Sequence, residues 1–154
     1  EFLGHLTAAW PWLQPKDYEL RVEEIEPGSF AVGTVQVLAV PIHHTAQSLA
    51  YRITDPAGRS VALSGDADVC EGLAEVARDS DLFICDAAFP GAHRTEGHLT
   101  PGLAGEWAQK AGTRKLCLTH FYPECDGHDL LAEARETFAG EIVLAEDLMR
   151  FDLS

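Results

Sequence analysis

Apolar and polar residues alternate in short runs through the first half of the chain, and recur at helical spacing through much of the second. Val35 to Ile42 is apolar and rich in β-branched residues, which predicts a strand. Tyr18 to Ile25 alternates well enough to predict another, with Glu26-Pro27-Gly28-Ser29 as the turn between them. Tyr51 to Thr54 and Ser60 to Ser64 flank Asp55-Pro56-Ala57-Gly58, the pattern of a hairpin. Between Trp10 and Pro15 two prolines leave an irregular segment.

From residue 70 the rhythm changes. Leu73, Val76 and Ala77 predict a helix, and Leu82 to Cys85 a short buried strand. Thr100-Pro101 is a helix start, since threonine can cap and proline suits the first turn; Gly112 supplies the stop. Leu103, Trp107 and Ala111 fall on one stripe of that helix. Leu116 to Thr119 reads as a strand, Leu130 to Phe138 as a helix and Ile142 to Ala145 as a strand, with Met149 to Leu153 as a closing edge strand. No repeat, linker or low-complexity tract divides the chain. The expectation is one α/β unit.

Composition narrows the function classes. The 154 residues hold 11 Lys+Arg against 25 Asp+Glu, a net charge of −14. The basic residues are scattered, with only Arg114 and Lys115 adjacent, whereas a nucleic-acid groove needs a basic stripe. Nucleic acid is therefore not expected as a partner of this chain alone. No apolar run approaches the roughly 20 residues that span a bilayer, and Glu1-Phe2-Leu3-Gly4-His5 has no basic leader region. Cys70, Cys85, Cys117 and Cys125 show no CxxC spacing; two lie in apolar strand-like runs, where a thiol is a small hydrophobe. A reducing, cytoplasmic setting is expected, and a cysteine zinc site is not. The tryptophans Trp10, Trp12 and Trp107 are expected to pack.

Four polar groups stand at the ends of predicted strands: His44, Asp66, Asp86 and His120. A side chain just past an apolar strand has left the core while still held by a rigid element, a good place for a metal ligand or general base. Imidazole and carboxylate are donors that Zn²⁺, Mn²⁺ or Fe²⁺ accept, and a carboxylate can bridge two ions. Two histidines and one aspartate are nonetheless too few for two metals.

Val-Pro-Ile-His-His-Thr-Ala-Gln-Ser-Leu-Ala-Tyr-Arg-Ile, Ala-Leu-Ser-Gly-Asp-Ala-Asp, Asp-Ala-Ala-Phe, Gly-His-Leu-Thr-Pro and Leu-Thr-His-Phe resemble, in order, the motifs of the metallo-β-lactamase superfamily, most closely its ribonuclease Z-like hydrolases. The resemblance runs from about Tyr18 to the C-terminus. It implies the C-terminal half of an αββα fold, with residues 1–154 forming the C-terminal part of one domain, and a dinuclear site holding two divalent ions, Zn²⁺ first among them. His44 matches a ligand of the first metal, Asp66 the bridging carboxylate and His120 a ligand of the second. His98 matches the histidine that protonates the leaving oxygen in phosphodiesterase members. Asp86 stands where ribonuclease Z has glutamate, and would orient His98.

Three departures qualify what the resemblance implies. The family signature His-x-His-x-Asp-His, which supplies four further ligands, occurs nowhere in the chain, and His5 cannot replace it. The upstream half is then expected from another chain or another part of this one, with Glu1-Phe2 readable as a cloning remnant. Only 21 residues separate His44 from Asp66, where ribonuclease Z carries a long tRNA-gripping arm. Ser-Gly-Asp-Ala replaces Ser-Gly-Asp-Thr, which removes a hydroxyl and no ligand. The expected activity is that of a metal-dependent phosphodiesterase acting on a small substrate. The alternatives are a tRNA 3′-processing endonuclease, or a non-catalytic assembly module with an uncovered sheet face that pairs with the other half or with itself. Arg94 and Tyr122 are candidate substrate contacts; His43, His93 and His128 read as solvent or orienting residues.

Overall fold

The computed structural model describes residues 2–153; Glu1, read above as part of a cloning remnant, lies outside them. Seven strands form one mixed sheet in sequence order: β1 Gly28–Val32, β2 Val35–Pro41, β3 Leu49–Thr54, β4 Ser60–Leu63, β5 Leu82–Asp86, β6 Lys115–Thr119 and β7 Glu141–Leu144. β1 to β4 form an antiparallel meander, and β4 to β7 run parallel. Each parallel connection needs a crossover, supplied by α2 Glu71–Val76, α3 Pro101–Ala111 and α4 Leu130–Arg135, after an N-terminal α1 Phe2–Ala9. Right-handed crossovers through an unreversed strand order place α2, α3 and α4 on one face. Val40, Ala50, Ala62, Phe83, Cys85, Leu116 and Leu118 meet them there in a single core.

Local chemistry accounts for the boundaries. In the β3–β4 hairpin the Asp55 carboxylate accepts the Ala57 and Arg59 N–H groups, each at 2.9 Å, and pairs with the Arg59 guanidinium, which holds its pKa below the usual range. The Thr100 hydroxyl accepts the Leu103 N–H at 3.2 Å, and Gly112 closes α3 in the left-handed conformation at φ 71°.

The structure corrects several expectations. Tyr18 to Ile25 forms no strand and stays exposed, while the predicted turn residues Gly28 and Ser29 already belong to β1. Met149 to Leu153 is irregular, and α4 ends at Arg135 rather than Phe138. α1 was not foreseen, and Pro11–Leu13 is a short 3-10 turn. Trp10 and Trp12 are exposed rather than packed. α3 buries Ala104, Gly105, Ala108 and Ala111, leaving Leu103 and Trp107 half-buried. Small residues win that face because α4 comes close: a Cβ on Gly105 would meet Thr137 Oγ1 and, at 2.8 Å, the Ala134 carbonyl.

Gly72 marks a similar approach of α2 to the end of β2. A Cβ there would strike the Pro41 carbonyl oxygen and stand 3.3 Å from Ile42 and Val40 side-chain carbons. Alanine gains about 1 kcal/mol of helix propensity over glycine. Overpacking costs about 1–3 kcal/mol, and a backbone obstacle that cannot swing aside puts this site in the upper part of that range, about 2–3 kcal/mol. Gly72→Ala is therefore expected to lower stability by about 1–2 kcal/mol net, read as a lower denaturant midpoint at unchanged slope. An unchanged or raised midpoint would show that α2 slides without cost.

Candidate active site

β2, β4, β5 and β6 point the same way, so their carboxyl ends lie along one edge of the sheet. Ligand sites of open α/β sheets lie at such an edge. His44 follows β2 on a tight return in which the Ser48 N–H donates to the Thr45 carbonyl at 3.2 Å. Asp66 follows β4, Asp86 ends β5 and His120 follows β6. The fifth member, His98, comes from the loop just before α3.

Asp66 stands between two imidazoles. Its Oδ2 lies 3.9 Å from His44 Nε2 and its Oδ1 lies 3.6 Å from His120 Nε2, so each oxygen faces a different ring. Both spacings exceed a hydrogen bond. The side chain of Asp66 is 49% exposed. His44 Nδ1 is 2.9 Å from the Gly97 carbonyl. A carbonyl only accepts, so Nδ1 carries a proton, and in the neutral ring the Nε2 lone pair is then free. His120 has a left-handed backbone at φ 69°, and its buried Nε2 has no hydrogen-bond partner. Such a backbone is uncommon outside glycine and costs about 1–3 kcal/mol.

Asp86 is buried behind this row. Its Oδ2 accepts the Ala67 N–H at 3.0 Å and the His98 Nδ1–H at 2.9 Å, and its Oδ1 accepts the Ala88 N–H at 2.9 Å. One carboxylate thus holds both the backbone beside Asp66 and the ring of His98. That ring sits between the other two histidines, with centroids 5.2 Å from His44 and 5.3 Å from His120. Tyr122 lies 5.3 Å from the His120 ring and stacks on Phe89 at 4.8 Å, forming an aromatic wall.

The remaining candidates fall elsewhere. Arg94 donates one N–H to buried Asp68 at 3.0 Å, with its side chain half-exposed. His43 joins Asp68 through a backbone bridge, and exposed His93 and His128 face each other at 5.5 Å. Asp68 and Phe89 were not singled out, although each closes one of the motifs above, Ala-Leu-Ser-Gly-Asp-Ala-Asp and Asp-Ala-Ala-Phe; membership of a motif carried no sign of what either side chain touches. Burial raises the pKa of Asp68, but the Gly97 and Val69 N–H groups and the Arg94 guanidinium outweigh it and leave the carboxyl below its usual range. All four cysteines are free, and burial pushes the Cys85, Cys117 and Cys125 thiols up, away from the reactive thiolate. Among the described residues no three His, Cys, Asp or Glu side chains close into a cage for one ion. His44 with Asp66 and His120 with Asp66 form two pairs of side chains of a chemistry that borderline divalent ions accept.

A model of the beta-lactamase superfamily domain matches residues 2–121. The chain belongs to the metallo-β-lactamase superfamily. An uncharacterised protein of Mycobacterium tuberculosis is 37% identical over 113 residues, covering 72% of this chain and 41% of that protein. Ribonuclease Z of Nocardia farcinica is 44% identical over 103 residues, covering 62% of this chain and 33% of that enzyme, in keeping with the ribonuclease Z-like branch. The chain therefore spans well under half the length of these curated relatives. Among solved superfamily structures, the metallo-β-lactamase fold protein YhfI of Bacillus subtilis superposes with a TM-score of 0.75 at 23% identity, over 90% of this chain and 58% of that one. The short form of human tRNase Z gives 0.63 at 25% identity, over 82% and 48%. The mixed sheet with helices on one face agrees with part of that fold. No described helix is long and apolar enough to cross a membrane.

Proposed function

We propose that the chain contributes the C-terminal part of a metal-dependent hydrolase site whose reaction is cleavage of a phosphodiester. The observation that carries this reading is the row His44–Asp66–His120, in which two imidazole nitrogens face the two oxygens of one carboxylate. The unpartnered His120 Nε2 and the lone pair on His44 Nε2 fit divalent ions, with His44 and Asp66 holding one and His120 and Asp66 the other. Bound divalent metal would activate water near neutral pH and stabilise charge developing on the attacked group. The remaining ligands are then supplied by polypeptide outside these 154 residues.

His98 gives the reading its reaction class. With Nδ1–H held by Asp86, its Nε2 is the nitrogen left to deliver a proton to a departing oxygen. Asp86 keeps the ring oriented and balances the charge of the protonated imidazole. Tyr122 and Phe89 form a wall that limits access from one side. Ribonuclease Z relatives favour phosphodiester chemistry, while tRNA itself is disfavoured by the net charge of −14 and by the hairpin that fills the span between His44 and Asp66.

The test is elemental analysis of the purified chain, its polypeptide content fixed by intact mass, alongside hydrolysis of bis(p-nitrophenyl) phosphate. Metal near two per chain with chelator-sensitive turnover is expected if the completing ligands are present. Less than about half a metal per chain and no turnover, in the presence of the polypeptide that completes the site, would overturn the hydrolase reading.

A further inference from the structure

Two residues beyond Asp66, the side chain of Asp68 is only 5% exposed, and nothing in the proposed reaction uses it. Its Oδ2 accepts the Gly97 N–H at 2.9 Å; its Oδ1 accepts the Val69 N–H at 2.7 Å and an Arg94 guanidinium N–H at 3.0 Å. Its own backbone N–H donates to the His43 carbonyl at 2.6 Å. Asp68 is thus fastened to the loop bearing His44 through its backbone and to the loop bearing His98 through its side chain. Gly97 completes the connection, because its carbonyl accepts the His44 Nδ1–H. At φ 89° this position strains any other residue, and a Cβ there would lie 3.5 Å from His44 Nδ1.

We propose that Asp68 is a positioning residue for His44. By holding Gly97 it fixes the carbonyl that selects the Nδ1–H tautomer, which leaves the Nε2 lone pair facing Asp66. Partners of this kind set the tautomer and ring direction of metal-binding histidines. Arg94 serves as the outer anchor: its guanidinium is half-exposed and touches only the oxygen of Asp68 that does not hold Gly97. The inference rests on the reading of His44 as a ligand only where metal is concerned; the tautomer can be read without metal.

The experiment compares the wild-type full chain with D68A, D68N and R94M. Long-range ¹H–¹⁵N spectra of metal-free protein report the His44 tautomer, titration with Zn²⁺ alone reports affinity, and thermal melting reports the fold. Wild type is expected to show Nδ1–H. D68A should give mixed tautomers and Zn²⁺ affinity weakened about 10–100-fold. R94M leaves both Asp68 oxygens in place and should retain the tautomer, whereas D68N has one oxygen for the Val69, Arg94 and Gly97 donors and should shift with D68A. If D68A does not fold, D68S carries the same expectation, since its short hydroxyl cannot reach Gly97 yet admits water to the vacated polar groups. Unchanged tautomer and unchanged Zn²⁺ affinity in the alanine or serine variant, with only the melting temperature lowered, would reduce Asp68 to a loop staple and overturn the proposal. A wild type that binds no Zn²⁺ overturns the metal-site reading instead, and the tautomer comparison alone then decides the role of Asp68.

Discussion

Replacing Asp66 with alanine is expected to strip bound metal from the protein and take phosphodiester hydrolysis to background while leaving the fold intact. The two halves of that result have separate causes. The side chain is 49% exposed, and its nearest polar neighbours, His44 Nε2 and His120 Nε2, stand beyond hydrogen-bonding distance. Truncating it exposes no buried polar group, so the stability change should stay within about 0.5 kcal/mol. Its two oxygens also face the two imidazoles, and without it each proposed ion position keeps a single donor from this chain. Elemental analysis and a denaturation curve on the same sample check both halves. Metal content equal to wild type in D66A would remove Asp66 from its bridging role.

His98→Ala should lower kcat by about 10²–10⁴-fold at unchanged metal content. The ring is held from behind by Asp86 and lies beside the His44 and His120 rings, within 5.3 Å of each. It has no place among the proposed ligands, so its loss should separate proton delivery from metal retention. Removing it frees one acceptor position on Asp86 Oδ2, which still accepts the Ala67 N–H, so the Asp66 loop should hold its place. A substrate whose leaving group needs no protonation should recover most of the lost rate. Equal losses on p-nitrophenolate and alkoxide leaving groups would rule out the acid role.

The elements legible in the sequence are those whose cause is local. Thr100-Pro101 and Gly112 bound α3 because cap and stop act within one turn. The β3–β4 hairpin was legible because Asp55 organises its own turn. Tyr18 to Ile25 has a strand's alternation and forms no strand: a ladder needs a neighbour, and sequence pattern does not reveal whether one exists. The stripe of α3 was legible only in part. Leu103, Trp107 and Ala111 do pack against the core, but the approach of α4, set by tertiary packing, buries Ala104, Gly105 and Ala108 as well. His44, Asp66, Asp86 and His120 could be picked out because each follows or ends an apolar run. That all four would gather at one edge of the sheet depended on β2, β4, β5 and β6 sharing a direction, which no single run encodes. Asp68 closes a recognised motif, yet its role was not legible, since its partners lie 26 and 29 residues away at Arg94 and Gly97.

The division of the sheet into a meander and a parallel half also sets an order of assembly. β1 to β4 are joined by short returns, so their pairing closes small loops and should form early. β5 and β6, which bring Asp86 and His120, are reached through the α2 and α3 crossovers and should dock later. Before that docking, the Asp66 loop lacks the carboxylate that accepts the Ala67 N–H, and His98 lacks its partner. Partly folded chains could therefore display a substantial sheet signal while the histidine row is still unformed. Refolding followed by His98 or His120 ring resonances should lag refolding followed by backbone circular dichroism. The row of imidazoles is in this sense the fold's last checkpoint.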